Sequence, residues 1–214
     1  VSDWRDIPVY VTNRNTLERG FRQQLEWLQR AGMKSITIID NESTYPPLLD
    51  FYAQIAIPII HTPSNIGPEA FWEMGMHGNM QTRFIVTDAD IVPDSACPLD
   101  LVGKMLEVAE RYGAKTGPGL RIDDLPDWYS EKQRVLIWET QFWQKRKDAE
   151  CFDAAIHNHF GLYQPGWAVW PNAPHLRLDF PYVARHLPWY EDSSAANVER
   201  EYYRARVKSG VTNW

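Results

Sequence analysis

An α/β fold is predicted, with a mostly parallel central sheet flanked by helices and a single domain spanning residues 1–214. Three observations predict it. Between residues 7 and 112, short apolar runs alternate with segments whose apolar residues recur every three or four positions. The connections between them are short, as in strand–helix–strand units of a parallel sheet. Three of the four apolar runs end in polar residues, Thr12-Asn13, Asp40-Asn41 and Asp88-Ala89-Asp90. In such sheets ligands bind beyond the carboxyl ends of the strands, so these groups are expected around one crevice.

Ile7-Pro8-Val9-Tyr10-Val11 reads as the first strand. Residues 16–31 read as a helix, with Leu17, Phe21, Leu25 and Leu28 on one face and Gly32 placed to end it. Residues 35–39 form a β-branched run bounded by Asp40-Asn41, a buried strand. Pro46-Pro47 opens a helix to about Gln54. Residues 57–60 give a third strand, 69–78 a helix, and Arg83-Phe84-Ile85-Val86-Thr87 a fourth strand. A helix over 100–112 carries Leu101, Met105, Val108 and Tyr112 on one face. The second half is less regular. It predicts a strand over 114–122, a helix over 131–147 with Val135, Trp138 and Phe142, a strand over 154–163, Pro- and Trp-rich loops, and a last helix over 197–207. No internal repeat or linker divides the chain. The first half (about 1–112) is expected to be the nucleotide side and the second (about 113–214) the acceptor side.

Composition narrows the function. The chain has 214 residues, 44% of them hydrophobic and 23% charged, ordinary for a folded protein and wrong for a disordered or disulfide-stapled one. Its net charge is −6, with no long basic run, which disfavours nucleic acid and anionic membranes as generic partners. Cys97 and Cys151 are far apart and fit two free thiols in a reducing compartment, a single disulfide being the alternative. No apolar stretch approaches the roughly 20 residues of a membrane span. A cytoplasmic protein is expected, at most peripheral to a membrane. The first residues do not form a secretory leader. A start at Val1 rather than Met fits a piece of a longer polypeptide. The 10 Trp and 10 Tyr are unusual. Trp128, Tyr129 and Trp189 are candidates for stacking on sugar rings, with core packing the commoner use.

The strongest motif is Asp88-Ala89-Asp90. In extended backbone, residues two apart point the same way, so both carboxylates face one spot at a strand end. Burying two unpaired carboxylates is costly, and a hard divalent cation such as Mg²⁺ or Mn²⁺ is their natural partner.

The order of segments carries a resemblance. An N-terminal strand is followed by Thr-Ile-Ile-Asp-Asn-Glu-Ser-Thr at 37–44, Ser-Asn-Ile-Gly-Pro at 64–68 and Phe-Ile-Val-Thr-Asp-Ala-Asp at 84–90. This resembles the nucleotide-sugar-dependent glycosyltransferases of the GT-A fold, closest to the family 2-like group, well over residues 7–112 and more loosely beyond. Residues 184–190, Ala-Arg-His-Leu-Pro-Trp-Tyr, also resemble a segment of bacterial and viral members. The resemblance implies a UDP-sugar donor, a glycan or glycoconjugate acceptor and Mn²⁺ or Mg²⁺ as cofactor. It implies that Thr12 and Arg14 line the base and phosphate end of the nucleotide. It puts Asp40 on the uracil or ribose, Asn65 near the nucleotide, Asp88 on ribose or metal-bound water, Asp90 on the metal, and His186 at the metal and diphosphate.

Transfer of a glycosyl group generates an anionic diphosphate and needs a base for the acceptor hydroxyl. Asp124 is favoured as base over Asp123 and Glu139, because adjacent carboxylates in a cleft raise one another's pKa. Arg185, beside His186, and less strongly Arg121 and Lys115, are candidate phosphate partners. His157 and His159 share one side of a predicted strand. Packing or substrate contact ranks above metal ligation for them. A sugar-phosphate nucleotidyltransferase would need a Gly-rich loop after the first strand, and Thr12-Asn13-Arg14-Asn15-Thr16 has no glycine. A degenerate carbohydrate- or nucleotide-binding module is the alternative outside enzymes.

Overall fold

A computed structural model describes residues 3–157 and 159–207. Nine strands form one sheet: β1 (Val9–Asn13), β2 (Ile36–Asp40), β3 (Ile59–His61), β4 (Phe84–Asp88), β5 (Ile91–Pro93), β6 (Lys115–Leu120), β7 (Cys151–Asp153), β8 (Gly161–Tyr163) and β9 (His175–His186). Helices are α1 (Phe21–Arg30), α2 (Pro46–Tyr52), α3 (Ala70–Glu73), α4 (Leu101–Tyr112), α5 (Lys132–Glu139) and α6 (Val198–Arg204). The sheet order is β3-β2-β1-β4-β8-β6-β9-β5, with β7 also paired to β9. The α/β class and the helix-flanked sheet are as predicted. The four N-terminal strands β3-β2-β1-β4 are all parallel, and antiparallel pairings begin only where β8 joins β4.

The alternation of side chains across the sheet follows from the two-residue period of a strand. Val9, Val11, Ile38 and Ile85 enter one buried cluster with Leu25, Leu28, Met105 and Val108. Ile39, Phe84 and Val86 point to the other face, against Phe71 and Trp72. Each fully buried side chain of this kind contributes about 1.5–3 kcal/mol relative to exposure. Cys97 and Cys151 are free and buried. No helix among the described residues is long and apolar enough to cross a membrane.

Several predicted elements are shorter than expected, each for a physical reason. The helix expected over 16–31 begins only at Phe21, because Gly20 has φ +151° and the backbone N–H groups of Leu17, Glu18 and Arg19 donate to the carboxylate of Glu199. The helix expected over 69–78 is broken at Gly75, in the left-handed region at φ +68°. The helix expected over 131–147 is α5 alone, followed by a 3₁₀ turn over Thr140–Trp143. The strand expected over 154–163 is reduced to β8. The carbonyls of Ile156 and His157 accept from the Lys115 ammonium, and that of Ala155 from Arg177, so side-chain cations replace a ladder there. β9, the longest strand, was not predicted; Pro181 interrupts its apolar pattern.

Candidate active site

The parallel register aligns the polar strand ends. Thr12 of β1 lies beside Asp88 of β4, and Asn13 beside Asp40 of β2. Beyond them opens a cleft of about 720 Å³ lined by residues of both halves of the chain.

Asp88 closes β4, and Asp90 lies in the turn to β5. That turn is held from below. The Gln24 side-chain NH₂ of α1 shares its two hydrogens among three acceptors, Thr87 Oγ1 (3.0 Å), the Asp88 carbonyl (2.8 Å) and the Ile91 carbonyl (2.6 Å). Gly20 permits the approach of α1, since a Cβ there would sit 2.6 Å from Asp90 Cα. β5 pairs antiparallel with β9, Ile91 opposite His186, and Leu187 N–H donates to the Asp90 carbonyl at 3.0 Å. This pairing brings His186 Nε2 to 3.2 Å from Asp90 Oδ2, across 96 residues of sequence.

The two carboxyls differ electrostatically. Burial, and then the charge of Asp90, pushes Asp88 well above the ordinary carboxyl value. Burial acts on Asp90 in the same direction, but His186 and Arg19 outweigh it and hold Asp90 below that value. Among the described residues neither forms an ion pair with lysine or arginine. A divalent cation fits this pair, because it would remove the penalty on ionising Asp88. Among the described residues no group of three or more His, Cys, Asp or Glu side chains is arranged to hold a metal. The protein therefore offers two carboxylates, and a hard cation there would need phosphate oxygens or water for the rest of its shell.

Five buried polar atoms of cleft-lining residues have no hydrogen-bond partner: Thr12 Oγ1, Asn13 Oδ1, Arg14 Nε, His159 Nε2 and His186 Nδ1. Buried polar groups are normally satisfied, so their concentration at one cleft marks a site built for a polar ligand.

The structure brings Thr12, Arg14, Asn65, Asp88, Asp90, Glu139 and His186 to the cleft, and His157, His159 and Trp189 also line it. Asp40 does not reach it. Asp40 is buried behind the wall, accepting from Tyr52 (3.2 Å) and Ser43 N–H (3.2 Å), with His61 Nδ1 also at 3.2 Å. Arg185 does not reach it either, because its guanidinium is drawn away to Asp94 (2.6 Å) and Asp124. Asp123 and Asp124 stand outside the lining: Asp123 accepts from Arg121 at 2.9 Å, and Asp124 accepts from Arg185 and from Tyr190 at 3.0 Å. Trp128 and Tyr129 are also away from the cleft. Lys115 is buried with its ammonium on the carbonyls of Ile156 (2.7 Å), His157 (3.0 Å) and Val169 (2.8 Å), and burial pushes its pKa down to about 7. His157 Nε2 lies 2.9 Å from Glu69 and its ring stacks on Trp170; Asn158 between the two histidines lies outside the described residues.

Asn41, expected at the crevice, lines it and ties the loop after β3 to β2, donating to Asn65 Oδ1 (3.1 Å) and the Gly67 carbonyl (2.9 Å). Three contributors were missed. Gln24 reads in sequence as one more polar helix position. Tyr203 of α6 lines the cleft. Arg177 of β9 is buried and donates to Glu139 Oε2 at 2.7 Å. Its signal was present in the alternation His175-Leu176-Arg177-Leu178.

No family model matches the sequence, and no curated protein matches it. Among solved structures, the mannosyltransferase PcManGT from Pyrobaculum calidifontis, in complex with GDP-Man and Mn²⁺, is similar at 14% identity and a TM-score of 0.48. The match covers 74% of this chain and 44% of that one, so this chain spans less than half of that structure's length.

Proposed function

We propose that the protein is a metal-dependent glycosyltransferase of the GT-A type that passes a sugar from a UDP-sugar to a hydroxyl of a glycan or glycoconjugate, with inversion. One observation carries this reading. Asp88 and Asp90 stand without a lysine or arginine partner at the carboxyl end of the central strand, in a cleft whose buried polar atoms await a ligand.

The nucleotide end is drawn from the first half of the chain. Thr12 Oγ1 and Arg14 Nε are available for hydrogen bonds there, and a guanidinium suits phosphate oxygens. Asp88 and Asp90 would hold the cation, with His186 beside Asp90. When bound, a divalent cation neutralises the charge that gathers on the departing diphosphate. The acceptor end is drawn from the second half. Of the three base candidates, Glu139 alone lines the cleft, so the role passes to it from Asp124. Glu139 accepts the proton of the acceptor hydroxyl as that oxygen bonds the anomeric carbon and the bond to the diphosphate breaks. Arg177 donates to its Oε2 at 2.7 Å and fixes the orientation of the carboxylate.

The test is a thermal-shift screen of nucleotide sugars with and without Mn²⁺, followed by measurement of UDP release with glycan acceptors. A donor that binds the folded state raises the melting temperature. Mn²⁺-dependent stabilisation and acceptor-dependent UDP release are expected. Stabilisation with neither transfer nor hydrolysis would instead identify a binding module.

A further inference from the structure

Within the cleft lining, the Trp138 and Phe142 rings meet edge to face at 5.9 Å and Phe142 lies under Arg177, and these rings share a pocket with the polar groups of His157, His159, Glu139 and Arg177. The imidazole of His159 is only 8% exposed, and its Nε2 has no partner. Glu139 and Arg177 are each 3% exposed and are paired with one another. The Arg177 Nε also donates to the Ala155 carbonyl at 2.8 Å, and its guanidinium lies 4.0 Å from the centre of the Phe142 ring. Behind the pocket, the three hydrogens of the Lys115 ammonium match the three carbonyls it contacts, leaving none for a ligand.

The cations around this pocket are already matched. The Arg177 charge is met by Glu139, and the Lys115 hydrogens by three carbonyls. Burial, with Arg177 and Lys115 nearby, holds His159 well below the ordinary histidine value and keeps it neutral. A ligand carboxylate placed here would be desolvated without a cation of its own. A ring with apolar C–H faces and hydroxyl edges fits instead, because aromatic walls meet the faces and a neutral imidazole bonds a hydroxyl.

We infer that this pocket receives the transferred group, that the group is an uncharged hexosyl unit rather than a carboxylated sugar, and that His159 is the residue that bonds a ring hydroxyl. This rests on the glycosyltransferase reading above.

The experiment is titration calorimetry in Mn²⁺ with UDP, GDP, UDP-glucose, UDP-galactose, UDP-N-acetylglucosamine, GDP-mannose and UDP-glucuronate. It is run on the wild type, His159→Phe, His159→Gln and Trp138→Ala, with melting curves to establish that each is folded. At least one uncharged donor is expected to bind about tenfold tighter than its own nucleoside diphosphate, the scale of one good hydrogen bond. UDP-glucuronate should bind no tighter than UDP. His159→Phe should erase the sugar increment while leaving nucleoside diphosphate affinity in place, and His159→Gln should restore part of it. Should His159→Phe fail to fold, His159→Gln and Trp138→Ala still test the pocket through the same ratio. An increment for UDP-glucuronate, or one that survives in all the variants, overturns the inference. Failure of every nucleotide to bind overturns the glycosyltransferase reading itself.

Discussion

Two acidic pairs in this chain look alike in sequence and behave oppositely in the fold. Asp88 ends β4 with Asp90 in the turn beyond it, and Asp123 and Asp124 lie in the turn just beyond β6. Around the second pair the fold gathers cations. Arg121 reaches Asp123 and Asp124, Arg185 and Tyr190 reach Asp124, and both arginines also meet Asp94. Around the first pair, the described residues provide His186 and no arginine or lysine pairing. The second pair therefore works as a clamp between the end of β6 and β9. The first, among the described residues, leaves two carboxyl groups at a cleft without a lysine or arginine ion pair.

The predictions sharpen that contrast. The largest effect is expected at Glu139, the carboxylate across the cleft. Glu139→Gln keeps a hydrogen-bonding partner for Arg177, so UDP affinity should stay within about twofold while turnover falls by about 10²–10⁴, the contribution of a positioned base. Undiminished turnover in steady-state assays would remove Glu139 as base.

Asp94→Asn comes next. This buried carboxylate accepts from Arg185 at 2.6 Å, from Arg121 at 3.2 Å and from Ala96 N–H at 2.9 Å. Its loss should cost about 3 kcal/mol in urea unfolding, because it leaves two guanidiniums short of a partner. The pH dependence should change as well. Burial works against ionisation of Asp94, but Ala96 N–H and Arg185 outweigh it and hold its carboxyl below the ordinary value. Its contribution is thus fully present above about pH 4 and is lost as pH falls through the depressed value. The wild type should lose stability more steeply than Asp94→Asn below about pH 4. An identical acid limb in the two proteins would show that this clamp carries no such linkage. The smallest effect belongs to Asp124→Asn, a partly exposed member of the same clamp. It should cost less than about 1 kcal/mol and leave nucleotide binding unchanged.

The first half of the fold was legible because three of its four predicted strands end where apolar β-branched residues give way to Asn or Asp, and its long helices show an apolar face. Asp88, Asp90 and Thr12 could be placed in one crevice from that pattern alone. In the second half β6, α5 and α6 were legible, and the rest was not, for reasons that are nonlocal. The segment over 154–157 looks like a strand, yet the carbonyls of Ala155, Ile156 and His157 are taken by Arg177 and Lys115 from other strands. Asp124 reads as a cleft residue, yet it bonds Arg185, 61 residues away, and stands outside the lining. The function of Gln24 depends on three partners 63 to 67 residues further along. Nothing in the spacing of these residues encodes those meetings.

The most direct test is electron paramagnetic resonance of Mn²⁺ titrated with UDP into wild-type protein, Asp90→Ala and Asp124→Asn. Losing a direct ligand should weaken binding beyond the roughly 10–100-fold that outer groups control. Wild type and Asp124→Asn should therefore capture the ion together with UDP, and Asp90→Ala should leave it free in solution. Capture by Asp90→Ala equal to wild type would contradict the assignment of the cleft aspartates as the cation site.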